Sequence, residues 1–279
     1  MTRFLKKIAL LVGGVAVALS GVLAGSPAQA TEQVDVELVL AVDVSGSMSE
    51  HELRIQRQGY TKAFRSDQVI AAIEAGLIGA IAVTYVEWAG EDLQRHVIPW
   101  MKIANADDAY EFADRLASAP RGNMNYTSIS GAITTAMVSL ESNHFTGMRQ
   151  VIDVSGDGMN NQGIMASHAR DEAVSRGIII NGLPLMTDPL SFRFKGAEVS
   201  LDTYYQFCVI GGPGSFLIPV TNWNGFADAV RRKIIMEVAS LSPARDTRRL
   251  PVVRAQFLDI APPTVDCSLG KKVLGIPVP

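Results

Sequence analysis

Histidine and cysteine are scarce in this chain of 279 residues, four of the first and two of the second. His51, His96, His144 and His168 share no ligand spacing, and Cys208 and Cys267 form no CxxC pair, so Cys/His zinc sites and HExxH chemistry are excluded. No GxSxG elbow and no Walker loop occurs, which removes the serine-hydrolase and P-loop readings. Low-complexity tracts are missing too, and at 48% hydrophobic and 19% charged the chain is neither disordered, collagen-like nor a coiled coil. It also lacks a basic excess. With Arg3, Lys6 and Lys7 set apart, 22 basic residues face 28 acidic ones, a net charge of −6 that speaks against a nucleic-acid partner.

The first thirty residues contain no acid. A basic start leads into an uncharged apolar run from Ile8 to Gly25 and then Ser26-Pro27-Ala28-Gln29-Ala30, the pattern of a secretory signal with an A-x-A cleavage site. An uncleaved anchor is the alternative, since such a run approaches the length of a membrane span. The small residues at 28 and 30 favour cleavage, export to the periplasm or beyond, and no stable membrane anchor afterwards. In that compartment Cys208 and Cys267 are expected to pair, two unrelated free thiols being the alternative. A disulfide there closes a loop of about 60 residues and contributes roughly 4 kcal/mol on the chain-entropy model.

The remaining 249 residues alternate strand-like and helix-like segments. Val36 to Val42 is a short apolar run of strand length, followed by Ser49-Glu50-His51-Glu52, which spells a capping box. Ile78 to Trp88 reads as a second strand, and Arg95 to Trp100, after the Gly90-Glu91-Asp92 turn, as its antiparallel partner at a sheet edge. Ile129, Ala132, Ile133, Ala136, Met137 and Leu140 recur at helical spacing. Gln150 to Val154, Ile178 to Leu185 and Phe216 to Val220 are further strands, Ile164 to Arg176 a helix, and Phe226 to Val238 a closing helix. Arg231-Arg232-Lys233 reads as that helix's solvated face. This order predicts an α/β fold: a doubly wound, mostly parallel sheet flanked by helices, with one antiparallel edge strand. Six of the 13 prolines fall after Leu241, so the expected organisation is a signal peptide (1–30), one domain (31–241) and a Pro-rich tail (242–279).

Ligands of doubly wound sheets bind beyond the carboxyl ends of the strands. Three loops bring oxygen atoms to that edge: Asp43-Val44-Ser45-Gly46-Ser47, Asn125-Tyr126-Thr127-Ser128, and Ser155-Gly156-Asp157-Gly158. Together they form a low-charge, all-oxygen cup suited to a hard cation such as Mg2+, with Mn2+ or Ca2+ as alternatives. An EF-hand reading of Asp153 to Ile164 fails because position twelve is Ile164 and not a bidentate Glu. An aspartyl-phosphatase reading of Asp43 fails because Ser45 stands where a general-acid Asp is needed.

At these residues the chain resembles the von Willebrand factor type A domains, whose metal-ion-dependent adhesion site (MIDAS) is written D-x-S-x-S with a distant Thr and a distant Asp. Asp43, Ser45, Ser47, Thr127 and Asp157 fill those positions in order. The resemblance covers roughly residues 34 to 240 and is strongest to exported bacterial members. Two features depart from the family's usual pattern: Asn125-Tyr126 stands where paired glycines are common, and Gly156 where Thr precedes the Asp.

The resemblance implies an exported binding protein that captures an acidic group of a protein or peptide partner through a divalent cation. Two other classes compete: a metal-dependent hydrolase, which needs a general base beside the cup, and a structural subunit of an envelope assembly. No nucleophile–base constellation is visible, so the binding class is favoured over an enzyme. The export reading has a direct check. Intact-mass measurement of protein from the native envelope is expected to give a chain starting at Thr31, and a mass that includes residues 1–30 refutes it.

Overall fold

The computed structural model describes residues 31–122, 124–187, 199–239, 265–273 and 275. The signal segment and most of the Pro-rich tail lie outside the described residues. Strand β1 (Glu32–Asp43) is longer than its apolar heart. Val36, Leu38, Leu40 and Val42 point into one core, Val39 and Ala41 into another, so both faces of the strand are buried. Each such side chain contributes roughly 1.5–3 kcal/mol when removed from water. A strand of this kind belongs at the centre of a parallel sheet, and β1 pairs in parallel with β2 (Ile81–Trp88) on one side and β4 (Phe145–Gly156) on the other.

The five strands run in the order β3-β2-β1-β4-β5, with β3 spanning Gln94–Ile103 and β5 Ile179–Pro184. β3 is antiparallel to β2, as the turn at Gly90 predicts. It carries Pro99 mid-strand, a residue tolerated at a sheet edge because no ladder donor is required there. The segment 216–220, expected as a strand, is not one: it lies beside β5 through isolated bridges, Leu217 with Gly182 and Val220 with Leu185 just past the strand end. Phe216 accepts from the Gly182 amide, and Ile218 and Val220 donate to the Gly182 and Pro184 carbonyls, but Pro184 has no N–H to offer the Ile218 carbonyl, which stops a continuous ladder.

Helices cover both faces. One carries α1 (Glu50–Phe64), α2 (Asp67–Glu74), α3 (Ala106–Ser118) and a long helix at Phe226–Val238, packed on the core around Leu38 and Leu40. The other carries α4 (Ile129–Ser142), α5 (Ala166–Ser175) and α6 (Leu201–Tyr204), which continues into a π-helical turn at Tyr205–Val209. With α6 placed, the Phe226–Val238 helix is α7, and α8 is a short turn at Leu269–Val273. The capping box at Ser49 is formed: its hydroxyl accepts from the Glu52 amide while the Glu52 carboxylate accepts from the Ser49 amide. Cys208 and Cys267 are bonded, which ties residues 265–273 to the π-turn. No helix among the described residues is long and apolar enough to cross a membrane.

One expectation for α7 is overturned. Lys233 is not solvated but fully buried, 2.6 Å from Asp153 and paired also with Glu237, beneath the ring of Phe216. The apolar stripe of α7 faces the sheet, and Lys233 falls within it because Asp153 on β4 lies directly opposite. Burial pushes the Glu237 carboxyl up to about 7, and Asp153 pushes in the same direction against the pull of Lys233. A carboxyl whose folded pKa lies above its ordinary 4.5 contributes stability that is complete below 4.5 and lost as pH rises through about 7. Urea midpoints are therefore expected to fall between pH 5 and pH 8, with Glu237 accounting for on the order of 3 kcal/mol. Glu237→Gln should flatten that slope, and an unchanged slope in the variant assigns the effect elsewhere.

Candidate metal centre

β1 sends its chain to β2 on one side, and β4 lies on the other, so the loops leaving β1 and β4 diverge and open a crevice at their carboxyl ends. The sequence-predicted residues meet there. Asp43 is the last residue of β1 and is fully buried; its Oδ1 accepts from the Ser45 amide at 2.7 Å, a two-residue turn that swings Ser45 and Ser47 over the strand end. The Ser45 and Ser47 hydroxyls are 3.0 Å apart, and Ser47 Oγ donates to Asp157 Oδ1 at 2.8 Å. Thr127 lines the same cavity of about 500 Å³ with Ser45, Ser47 and Asp157. Four of the five thus share one surface, and Asp43 lies beneath it.

The electrostatics single out Asp43. Burial, and then the nearby Asp157 carboxylate, push its carboxyl well above the usual range, against hydrogen bonds from Ser45 and from the Asp157 backbone. Its Oδ2 is buried without a hydrogen-bond partner. An ionised oxygen left this way costs several kcal/mol unless a positive charge compensates it. A divalent cation above Ser45, Ser47 and Thr127 would supply that charge, so the donor set fits a hard ion. Among the described residues no group of three or more His, Cys, Asp or Glu side chains gathers at one point; the cup relies on hydroxyls with two carboxylates.

The loop that delivers Thr127 is fixed by polar contacts that the motif does not announce. Glu87, at the carboxyl end of β2, is buried between Arg57 and Arg95 and accepts from the Gly122 amide at 3.1 Å. The same arginines donate onward, Arg57 to the Leu116 and Ala119 carbonyls and Arg95 to that of Pro120. Past that clamp Met124 bonds to Val44, and Tyr126 takes φ of 67°, the left-handed region that glycine tolerates without strain. A non-glycine residue thus holds this strained shape next to Thr127. Asn161 then holds Thr127 from both sides: Oδ1 accepts the Thr127 amide at 2.9 Å, and the Asn161 amide donates to the Thr127 carbonyl at 2.8 Å. Asn160 accepts from the Ser130 amide in the first turn of α4. Gln56 donates to the Asp43 carbonyl at 2.8 Å. These supports were missed in the sequence, although Asn160-Asn161, close behind Asp157, carried a turn-forming signal.

A family model described as protein of unknown function (DUF1194) matches residues 33–242. The chain belongs to this family. A search of curated proteins returns no match to this DUF1194 chain. Among solved structures, the pilus adhesin SpaC of Lactobacillus rhamnosus GG superposes with a TM-score of 0.55 at 12% identity, covering 75% of this chain and 31% of the adhesin. Proximal thread matrix protein 1 of the mussel byssus superposes at 0.50 with 10% identity, over 75% of this chain and 47% of that protein. A von Willebrand factor type A protein of Catenulispora acidiphila superposes at 0.49 with 12% identity, over 74% and 43%. The DUF1194 chain spans less than half the length of each of these proteins. The fold class expected from the sequence is present: the described residues form a helix-flanked, mostly parallel five-stranded sheet with one antiparallel edge strand.

The Asp43 environment yields a thermal test. In chelator at pH 8, Asp43→Asn removes a buried charge while keeping an oxygen for the Ser45 amide, so its melting midpoint should rise, by about 2–4 °C for each kcal/mol relieved. A midpoint lower than that of the wild type would show that the carboxylate is not the strained group it is taken to be.

Proposed function

We propose that this DUF1194 protein holds a divalent cation in the cup and uses it to capture a carboxylate of a protein or peptide partner. The observation that carries this reading is the stacking of an unsatisfied, fully buried Asp43 oxygen beneath a cavity rimmed by three hydroxyls. Ser45, Ser47 and Thr127 would hold the ion directly, with Asp43 and Asp157 acting through water. Mg2+ is the first expectation, with Mn2+ or Ca2+ as substitutes. A bound ion supplies a positive centre for an incoming carboxylate.

The chain's own residues decide how strong that attraction is. Hydroxyl ligands bring no formal charge, so the ion keeps more of its pull than it would with carboxylates bound directly, and the pull grows where water is excluded. Tyr126, more than half exposed on the cavity wall, offers a ring edge for the partner to cover. The domain assigned to this role is 31–241. An exported location agrees with the disulfide, a bond that persists in oxidising compartments.

Calorimetry with Mg2+ and Mn2+ should show weak binding to the wild type and at least a tenfold loss in Ser45→Ala and Thr127→Ala. Unchanged affinity in both variants refutes the site. Thr127→Asp should keep the ion and lose the partner. Immobilised wild type and Thr127→Asp, each exposed to envelope extract with magnesium or with chelator, are expected to retain an acidic partner only in the wild-type magnesium sample. Equal retention in all four places recognition elsewhere.

A further inference from the structure

Apart from the cup, a cleft of about 290 Å³ opens between α1, α3 and the segment that follows α3, and its wall carries Arg54, Arg57, Lys62 and Arg121 with no acid. None of the residues lining the cup borders it. Such a gathering of one sign stands out in a chain with 28 acids against 25 bases. Elsewhere on the same two helices cations stand beside acids: Arg65 pairs with Asp114, and Arg115 with Glu111. Arg54, Lys62 and Arg121 are exposed, and among the described residues none of them forms an ion pair. Arg54 Nη2 lies 3.4 Å from His51 Nδ1, a contact that involves no carboxylate.

The base of the cleft adds to the charge. Arg57 is buried, and its partner Glu87 is shared with Arg95, so two guanidiniums face one carboxylate and a positive charge is left over. Arg57 Nη1 also donates to the Leu116 and Ala119 carbonyls, which fixes the guanidinium in place. A fixed cation beneath three exposed ones repels them, and an anion among them turns that repulsion into attraction.

We infer that this cleft binds a phosphoryl group. One arginine fork matches a single carboxylate, whereas a phosphate presents more oxygens and nearly two negative charges, and so calls for cations from several directions. The cleft supplies them. Arg54, Gln58, Thr61 and Lys62 recur at helical spacing along one face of α1, and Arg121 closes from the opposite chain segment. Arg54 and Arg121 bring forked donors, and Lys62 a compact charge. A phosphoryl group reaches an exposed cleft on a soluble compound or as a lipid headgroup, and the same donors recognise both. The inference is independent of the cup and of the ion proposed for it.

The test titrates metal-free protein with inorganic phosphate and follows the backbone amide resonances of Arg54, Lys62 and Arg121. Saturable shifts at these residues are expected. Affinity should fall about tenfold in Lys62→Gln, the scale of one hydrogen bond to a charged group, and stay unchanged in Arg232→Gln, which removes an exposed cation of α7. No saturation in the wild type, or an equal loss in Arg232→Gln, overturns the site. Acetate saturating the same residues as tightly as phosphate overturns the phosphoryl assignment. Ser45→Ala, which disarms the cup, should bind phosphate like the wild type, and a loss there moves the anion to the cup and overturns the inference. Vesicles of phosphatidylcholine with phosphatidic acid then distinguish the sources. Retention of the wild type but not of the triple variant Arg54→Gln, Lys62→Gln, Arg121→Gln supports a lipid headgroup, and phosphate saturation without vesicle retention supports a soluble phosphoryl compound.

Discussion

Burial of β1 on both faces is the constraint from which the rest follows. A strand covered by helices on each side has no face for polar side chains, so every acid it carries must find partners within the protein or stand at an end. β1 carries three buried acids, and each is treated differently. Asp35 accepts from the amides of Ile78, Gly79 and Ala80, and so anchors the start of β2. Glu37 accepts from Asn143, Gly147 and Gln150, tying β4 to its neighbour. Asp43 alone keeps an oxygen without a hydrogen-bond partner, and it stands where the two neighbouring loops part.

That contrast separates structure from function more sharply than burial does. Nearby, Glu87 is as deeply buried as Asp43, yet two arginines and an amide satisfy it, and its work is to fix the loop leading to Thr127. Lys233, Asp153 and Glu237 form another buried cluster, in which the lysine bridges both carboxylates. Clusters like these cost nearly as much in desolvation as they return in attraction, so they specify the arrangement of elements more than they stabilise it. The apolar residues on both faces of the sheet supply the larger share of stability.

The cup is therefore held from below and from the side by groups distant in sequence. Glu87 with its arginines sets the Thr127 loop, Asn161 sets the Thr127 backbone, and the disulfide-tethered turn brings the Tyr205 hydroxyl against Gly156 at the end of β4. On the cavity wall Gly46, Ser47, Asn125 and Tyr126 are exposed, and Asp157 is half-buried. A rigid base under an accessible rim is the arrangement expected where an ion must be positioned but remain reachable.

Much of this was legible in the chain. The capping box at Ser49, the apolar heart of β1, the antiparallel partner of β2 and the stripes of α4 and α7 are local signals, carried by residues within a few positions of one another. α3 is legible as well, since Ala109, Phe112, Ala113 and Leu116 have helical spacing; α2, at eight residues, is too short for periodicity to declare itself. The five oxygen-bearing residues could be named because their loops adjoin strand ends and helix starts, where side chains are already aimed. Only the tertiary structure decided that Lys233 is buried, that Pro184 interrupts the pairing of 216–220, and that Glu87 and Asn161 support the cup. Those outcomes depend on which elements are brought face to face across the sheet, and a side chain's partner across that distance leaves no local trace in the sequence.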